Sequence, residues 1–459
     1  MLTGDVKKEL KRIVGDEYAS FSKEDLLCYA YDATNIRKMP DAVVFPKNAA
    51  EVSCILKMAN AERFPVIPRG AGSGFTGGSV PVEHGVVLST ERMRGIIVID
   101  ELNLTATVEP GVITWELQQE VEKRMLFYPP DPTSLNFSTI GGNIAECAGG
   151  PRAVKYGVTR DYVLGLEVVL GTGEIINTGT RCAKGVVGYD LTRLIVGSEG
   201  TLGVVTKATL RLIPLPESTR TLLAVFPALV DAAAAASGII KARITPSTLE
   251  IVDSISIRCV EEYANVGLPK AGSFLIIEVD GTVEGTLREA TEVRRVCMEN
   301  RASTVDEAAD KKEVRNLWKA RKAISASLFR IKPNKINEDV VVPRSEIPAL
   351  VNGISGIAKM RGLLIACFGH AGDGNIHVNI MYDGKDAKEA EAAHETVGDV
   401  FKLTLGLGGT ISGEHGVGIT KAPYIGMELG ADVIALMKRI KTSFDPNGIL
   451  NPGKVFAGG

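Results

Sequence analysis

Three glycine-dense segments in the first half of the chain limit what it can fold into more than any other feature. The first reads Pro68-Arg69-Gly70-Ala71-Gly72-Ser73-Gly74-Phe75-Thr76-Gly77-Gly78, with a GxGxxG match at Gly72, Gly74 and Gly77. A nicotinamide-binding fold needs a helix to begin at such glycines, so that its first N–H groups meet a pyrophosphate, and an acidic residue about 20 positions on. Here Val80-Pro81 breaks the chain, a strand pattern follows, and position 97 is Ile97, so that fold is set aside. What remains is a loop whose successive N–H groups can turn toward one anion, because no Cβ blocks either sign of φ or a close approach. Alone, such a loop reads equally as a turn without a ligand. Two more segments change the balance. Asp131-Pro132-Thr133-Ser134 leads into Thr139-Ile140-Gly141-Gly142-Asn143 and Gly149-Gly150, and Gly197-Ser198-Glu199-Gly200-Thr201-Leu202-Gly203 lies just before Val204. Three such loops in one region are hard to explain as turns.

Around them the chain alternates helix and strand signals irregularly, and 459 residues suit two or three domains. Asn48 to Arg63 reads as a capped helix with Val52, Ile55, Leu56 and Ala59 on one face. Gly85–Ser89, Ile96–Asp100, Ala106–Glu109 and Leu164–Leu170 read as strands, and Gly203–Leu212 alternates most cleanly. The proline-spaced stretch Ile213-Pro214-Leu215-Pro216-Glu217 suits neither a helix nor a central strand and marks a boundary. Beyond it, an alanine-rich helix (228–241), a strand (273–279), a helix (312–330), two strands near 370 and a helix (387–405) imply a helix-covered antiparallel sheet. The reading is an α+β chain in three parts: an N-terminal helical segment (1–37), a domain over 38–216 and a second over 217–456.

A net charge of -3 with both signs interspersed leaves no footprint for nucleic acid. Seven cysteines are scattered with no CxxC, so no iron–sulfur cluster is expected in the chain. No 18-residue apolar run and no signal-peptide core occur, so the expectation is a cytoplasmic protein, at most peripheral to a membrane through a partner.

Of five histidines, three fall in Gly369-His370-Ala371-Gly372-Asp373-Gly374-Asn375-Ile376-His377-Val378-Asn379 and Ser412-Gly413-Glu414-His415-Gly416. Asp373-Gly374 is a hairpin signal that would return His377 beside His370 and set His377 and Asn379 on one face. Two imidazoles and a carboxylate such as Glu414 suit Zn²⁺ or a similar ion with one position open to substrate. On spacing alone, hydrogen-bonded histidines at a sheet edge fit as well.

The three glycine segments, in this order, resemble the vanillyl-alcohol oxidase type of FAD-binding domain over about residues 38–216. The resemblance implies that Arg69, Gly70, Gly72, Ser73, Gly74, Thr76 and Gly78 wrap the FAD pyrophosphate. It implies that Asp131, Ser134, Gly141, Asn143, Glu199 and Val204 line the rest. Some relatives bond flavin through a histidine in the first loop; none lies between 68 and 80, so non-covalent FAD is expected. The second domain, about 217–456, is similar to that of the glycolate oxidase flavin subunit, D-lactate dehydrogenase and D-2-hydroxyglutarate dehydrogenase group. That similarity makes His370, His377 and Glu414 metal ligands for Zn, Mn or Fe, His415 the base, and Asn379 a neighbour of the substrate. Trp318-Lys319-Ala320-Arg321 matches the segment carrying the substrate-carboxylate arginine, with Ser325 one turn later. Asn337 stands where hydroxyglutarate enzymes carry a further lysine, which argues against a dicarboxylate. In the ending Asp445 to Lys454, Asn451 is placed toward the flavin.

The expected activity is oxidation of a small D-2-hydroxy acid, D-lactate or glycolate. Arg321 would fix the carboxylate, the metal would lower the hydroxyl pKa, and His415 would take the proton. Electrons would leave to an electron-transferring flavoprotein, an iron–sulfur subunit or a quinone, and a homo-oligomer or complex subunit is expected. The alternatives are a D-2-hydroxyglutarate dehydrogenase and a non-catalytic FAD-binding subunit.

Overall fold

The computed structural model describes residues 2–456 apart from 35, 183 and 266. The chain forms two compact units, one of Met1–Gly149, Val158–Leu215 and Glu414–Gly459, the other of Gly150–Gly157 and Pro216–Gly413.

In the first unit, β1 (Ala19–Ser20), β2 (Ala42–Val44), β3 (Val66–Arg69) and β4 (Val86–Ser89) form a sheet in the order β1-β2-β4-β3. The pairs β2–β4 and β3–β4 are parallel. Parallel neighbours need a crossover, and the helix Ala49–Glu62 supplies the one between β2 and β3. The Asn48 side chain caps that helix by accepting from Glu51 N at 3.0 Å. Its Val52, Ile55, Leu56 and Ala59 are fully buried in one core with Val44, Val66, Val86 and Leu88. The chain continues through β5 (Ile96–Asp100), β6 (Thr105–Val108), β7 (Leu126–Phe127), β8 (Val163–Val169), β9 (Ile175–Gly179), β10 (Val204–Arg211) and β11 (Ile213–Pro214). An antiparallel sheet runs β5-β6-β10-β8-β9, and β7 pairs with β11. In β10, Val204, Thr206, Ala208 and Leu210 are buried and the residues between them are not, the burial that strict alternation imposes.

The second unit holds β12 (Ser218–Phe226), β13 (Thr248–Asp253), β14 (Ser273–Gly281), β15 (Thr304–Glu307), β16 (Asn334–Val341), β17 (Leu364–His370) and β18 (Asn375–Tyr382). They form one sheet ordered β15-β12-β14-β13-β17-β18-β16, antiparallel at every pairing. The helices Ser254–Ala264 and Lys311–Ser327 bring Ile257, Val260, Ala320 and Ile324 onto Val252, Phe274, Ala366, Phe368 and Met381. The helices Leu229–Lys241, Val283–Glu299, Ile347–Arg361 and Ala387–Gly406 also pack on the sheet. The hairpin between β17 and β18 turns at Gly374, whose φ of 93° favours glycine. A Cβ there would lie 2.0 Å from Val342 O.

Candidate active site

In the first unit the loop after β3 is shaped by what its glycines lack. A Cβ on Gly70 would lie 2.2 Å from Thr139 Oγ1, and one on Gly78 would lie 2.8 Å from Glu146 Oε1. The first glycine segment therefore meets Thr139 and Glu146 at positions where a larger residue would displace their side chains. Thr139 in turn caps the helix Ile140–Glu146, accepting from Gly142 N at 3.2 Å, while Gly141 rests on Pro110. Asn143 is buried and donates to Thr114 Oγ1 at 2.7 Å, which ties this helix to Thr114–Glu122. Ser134 closes the turn before it, its carbonyl accepting from Phe137 N and Ser138 N. Asp131 is half-buried three residues earlier.

Arg69 lies under the loop. Its Nη1 donates to Tyr31 O at 2.8 Å and to Ser79 Oγ at 3.2 Å, and its guanidinium fills the space that a Cβ on Gly72 would need. Ser73 and Gly74 lie on the rim, and no atom comes nearer a Cβ on Gly74 than Glu146 Oε1 at 3.9 Å. Thr76 is buried and donates to His415 O at 3.1 Å, and Thr76 O accepts from Ile419 N at 2.7 Å.

The third segment joins the others through Glu199 and Asn451. Glu199, at a φ of 53°, accepts from Val417 N and Gly418 N, both at 2.7 Å. Burial raises its pKa while these N–H groups and the Lys421 and Lys454 ammoniums pull it back. Asn451 Nδ2 donates to Gly78 O at 2.8 Å and Glu199 O at 2.7 Å, and its buried Oδ1 has no partner among the described residues. Val204 opens β10 directly after this segment. Backbone kept bare by glycines, with an orphaned acceptor beside it, suits a dinucleotide that approaches the backbone closely. His415 stacks on Phe75, ring centroids 5.2 Å apart. Glu414 lies against Gly149, where a Cβ would lie 2.7 Å from its Oε2.

In the second unit the antiparallel register collects polar residues on one sheet face. Glu250 pairs with His370, His370 with Asn375, Phe368 with His377, Asp339 with His377, and Asn337 with Asn379. The His370 and His377 rings meet edge to face at 5.1 Å. Arg321 reaches this face from the helix Lys311–Ser327, its guanidinium 4.8 Å from the Phe368 ring. It donates from Nε to Glu250 Oε2 at 2.5 Å, and His370 Nδ1 donates to Glu250 Oε1. Burial would raise the Glu250 pKa, but Arg321 and His370 outweigh it and hold it below the usual carboxylate range. With the proton on Nδ1, the lone pair of His370 lies on Nε2, the tautomer a metal ligand needs. Buried Arg321 Nη2 and Asn379 Oδ1 have no partner among the described residues, so this face offers a donor and an acceptor to a ligand.

Sequence reasoning missed three residues here. Glu250 is the carboxylate shared by Arg321 and His370. Asp339 is fully buried, 3.6 Å from His377 Nδ1, and accepts from Asn375 Nδ2 at 2.6 Å and Gly413 N at 2.9 Å. Lys335 lies two residues before Asn337 on the same strand and donates to Ser325 Oγ at 2.6 Å. Burial pushes its pKa down to about 8. The signal for Lys335 was strand period: residues 335, 337 and 339 share one face.

Comparison with known proteins divides the chain in a similar place, although residues from Glu414 onward, expected in the second domain, belong to the first unit. Residues 40–179 match an FAD-binding domain, and residues 215–455 match the C-terminal domain of FAD-linked oxidases. The chain belongs to the FAD-linked oxidases. It is 48% identical over 459 residues to the glycolate oxidase subunit GlcD of Bacillus subtilis (strain 168), covering 100% of this chain and 98% of that one. It is 37% identical to the subunit of that name from Escherichia coli (strain K12), over 94% of this chain and 87% of that one. With a D-lactate dehydrogenase of Anaerostipes hadrus it shares 34% identity, over 96% and 94% of the two chains. Its fold resembles p-cresol methylhydroxylase with a TM-score of 0.83 at 18% identity, over 99% of this chain and 96% of that one. This FAD-linked oxidase therefore has the two-domain vanillyl-alcohol oxidase type of fold, with an antiparallel second sheet.

Proposed function

We propose that this protein oxidises a small D-2-hydroxy acid, D-lactate or glycolate, to the 2-oxo acid. The carrying observation is the buried face on which Arg321 keeps an unsatisfied Nη2 donor near the His370–Glu250 pair. A guanidinium with spare, desolvated N–H groups is built for a carboxylate. Arg321 holds the substrate carboxylate, Asn379 bonds beside it, and His415 accepts the hydroxyl proton. FAD, bound without a covalent link because the first loop lacks histidine, supplies the two-electron acceptor. His370, His377 and Glu414 hold a divalent ion, Zn, Mn or Fe, and the donor set of two imidazoles and a carboxylate fits such an ion. Support for the substrate class comes from the glycolate oxidase subunits and D-lactate dehydrogenase, which match almost end to end.

The electrons pass to an electron-transferring flavoprotein, an iron–sulfur subunit or a quinone, and the chain works as a homo-oligomer or complex subunit. Among the described residues no helix is long and apolar enough to cross a membrane, and we place the protein in the cytoplasm or at a membrane through its partner. A second reading, D-2-hydroxyglutarate, is favoured by Lys335, a cation that could take a second carboxylate. Anaerobic flavin bleaching across D- and L-2-hydroxy acids tests both. D-lactate or glycolate should bleach fastest and the L-lactate enantiomer slowest. Fastest bleaching by D-2-hydroxyglutarate selects the second reading, and none by any acid rejects both.

A further inference from the structure

We propose that Glu146 is a neutral carboxylic acid built into the nucleotide site, where it donates a hydrogen bond to bound FAD. The inference concerns one residue and rests on the FAD assignment. Glu146 ends the helix Ile140–Glu146, and its carboxyl group faces three glycines. A Cβ on Gly416 would lie 2.4 Å from Oε2, one on Gly78 2.8 Å from Oε1, and Gly74 borders it more loosely. On this side the carboxyl meets bare backbone, with the Glu199 carboxylate also close to Gly416. Oε2 is buried and has no hydrogen-bond partner among the described residues. Natural proteins rarely leave such an atom unpaired unless something else binds it.

Its charge state follows from its neighbours. Glu199 has two backbone donors, with the Lys421 and Lys454 ammoniums nearby. Glu146 has only burial and the like charges of Glu199 and Asp32, and all three push its pKa well up. Asp32 itself sits beside Arg69. Two buried carboxyls in unequal surroundings divide the roles, so Glu199 carries the charge and Glu146 the proton. A protonated carboxyl offers one O–H donor, which we assign to bound FAD.

The test uses apoprotein reconstituted with FAD. Glu146→Gln, which keeps size, neutrality and a donor, should bind FAD within about 3-fold of wild type. Glu146→Ala should bind it roughly 10-fold more weakly, the loss of one well-made hydrogen bond, with a shifted visible flavin spectrum. Infrared difference spectra of FAD binding to wild type should show a protonated carboxyl C=O band that shifts and that Glu146→Gln lacks, a readout that survives if the alanine variant does not fold. Wild-type FAD affinity and spectrum in folded Glu146→Ala, or no Glu146-dependent carboxyl band, overturns the proposal. Failure of wild type to bind FAD overturns the cofactor assignment instead.

Discussion

The two units solve opposite problems. Around residues 68–78 the first unit removes side chains, so that backbone and a few caps can surround a large ligand. On the strands from β13 to β16 the second unit concentrates side chains, burying Glu250, His370, His377, Asp339 and Asn379 beside Arg321. The first site is made of close approach and the second of charge. Damage should differ accordingly: losses of the residues proposed for substrate and metal should slow chemistry while flavin stays bound.

The largest effect is expected from His415→Ala. Flavin reduction by substrate should slow on the order of 100-fold or more, the usual loss for a general base, while FAD content is unchanged. Rapid-mixing absorbance checks it, and a near-normal rate would assign the base elsewhere.

Glu250→Gln sharpens the contrast. The carboxylate holds Arg321 and His370 together, so one substitution should loosen metal about 10- to 100-fold and raise KM, with FAD affinity untouched. Metal content after dialysis and steady-state kinetics measure both, and unchanged values would make Glu250 a packing residue. Glutamine is the informative replacement, because it keeps the size of the side chain and an acceptor for Arg321 Nε while removing the charge.

The smallest effect concerns Lys335. Its folded pKa of about 8 lies below the ordinary lysine value, so its ammonium is present below that pH and lost as pH rises through it. Any preference for D-2-hydroxyglutarate over D-lactate, measured as a ratio of kcat/KM, should fall between about pH 7 and 9. Lys335→Met should lower the ratio about 5-fold at pH 7 and flatten its pH profile. An unchanged ratio leaves Lys335 as a cap on Ser325 and removes the dicarboxylate reading.

Local rules made much of this legible in the chain. Asp373-Gly374 fixed the hairpin, and strand period put His377 and Asn379 on one face. Asn48 and Glu51 marked a helix start, and the alternation in 204–212 marked a half-buried strand. What stayed hidden depends on partners far along the chain. Glu250 sits in Thr248-Leu249-Glu250-Ile251-Val252-Asp253, where nothing local says that it meets Arg321 and His370, 71 and 120 residues away. Glu146 ends a helix of seven residues, too short to show a face. Asn337 stands out by position, whereas the cation that this strand puts on the face is Lys335, one strand repeat earlier.

The contrast between the two sets of residues rests most on metal, because those proposed for it and those proposed for FAD do not overlap. Chelation of the purified holoenzyme, followed by anaerobic mixing with substrate, tests it directly. FAD should stay bound with its absorbance intact, bleaching by D-lactate or glycolate should be lost, and Zn²⁺, Mn²⁺ or Fe²⁺ should restore it. Full-rate bleaching in protein shown by elemental analysis to be metal-free would contradict the account and leave His370 and His377 as direct hydrogen-bonding groups to the substrate.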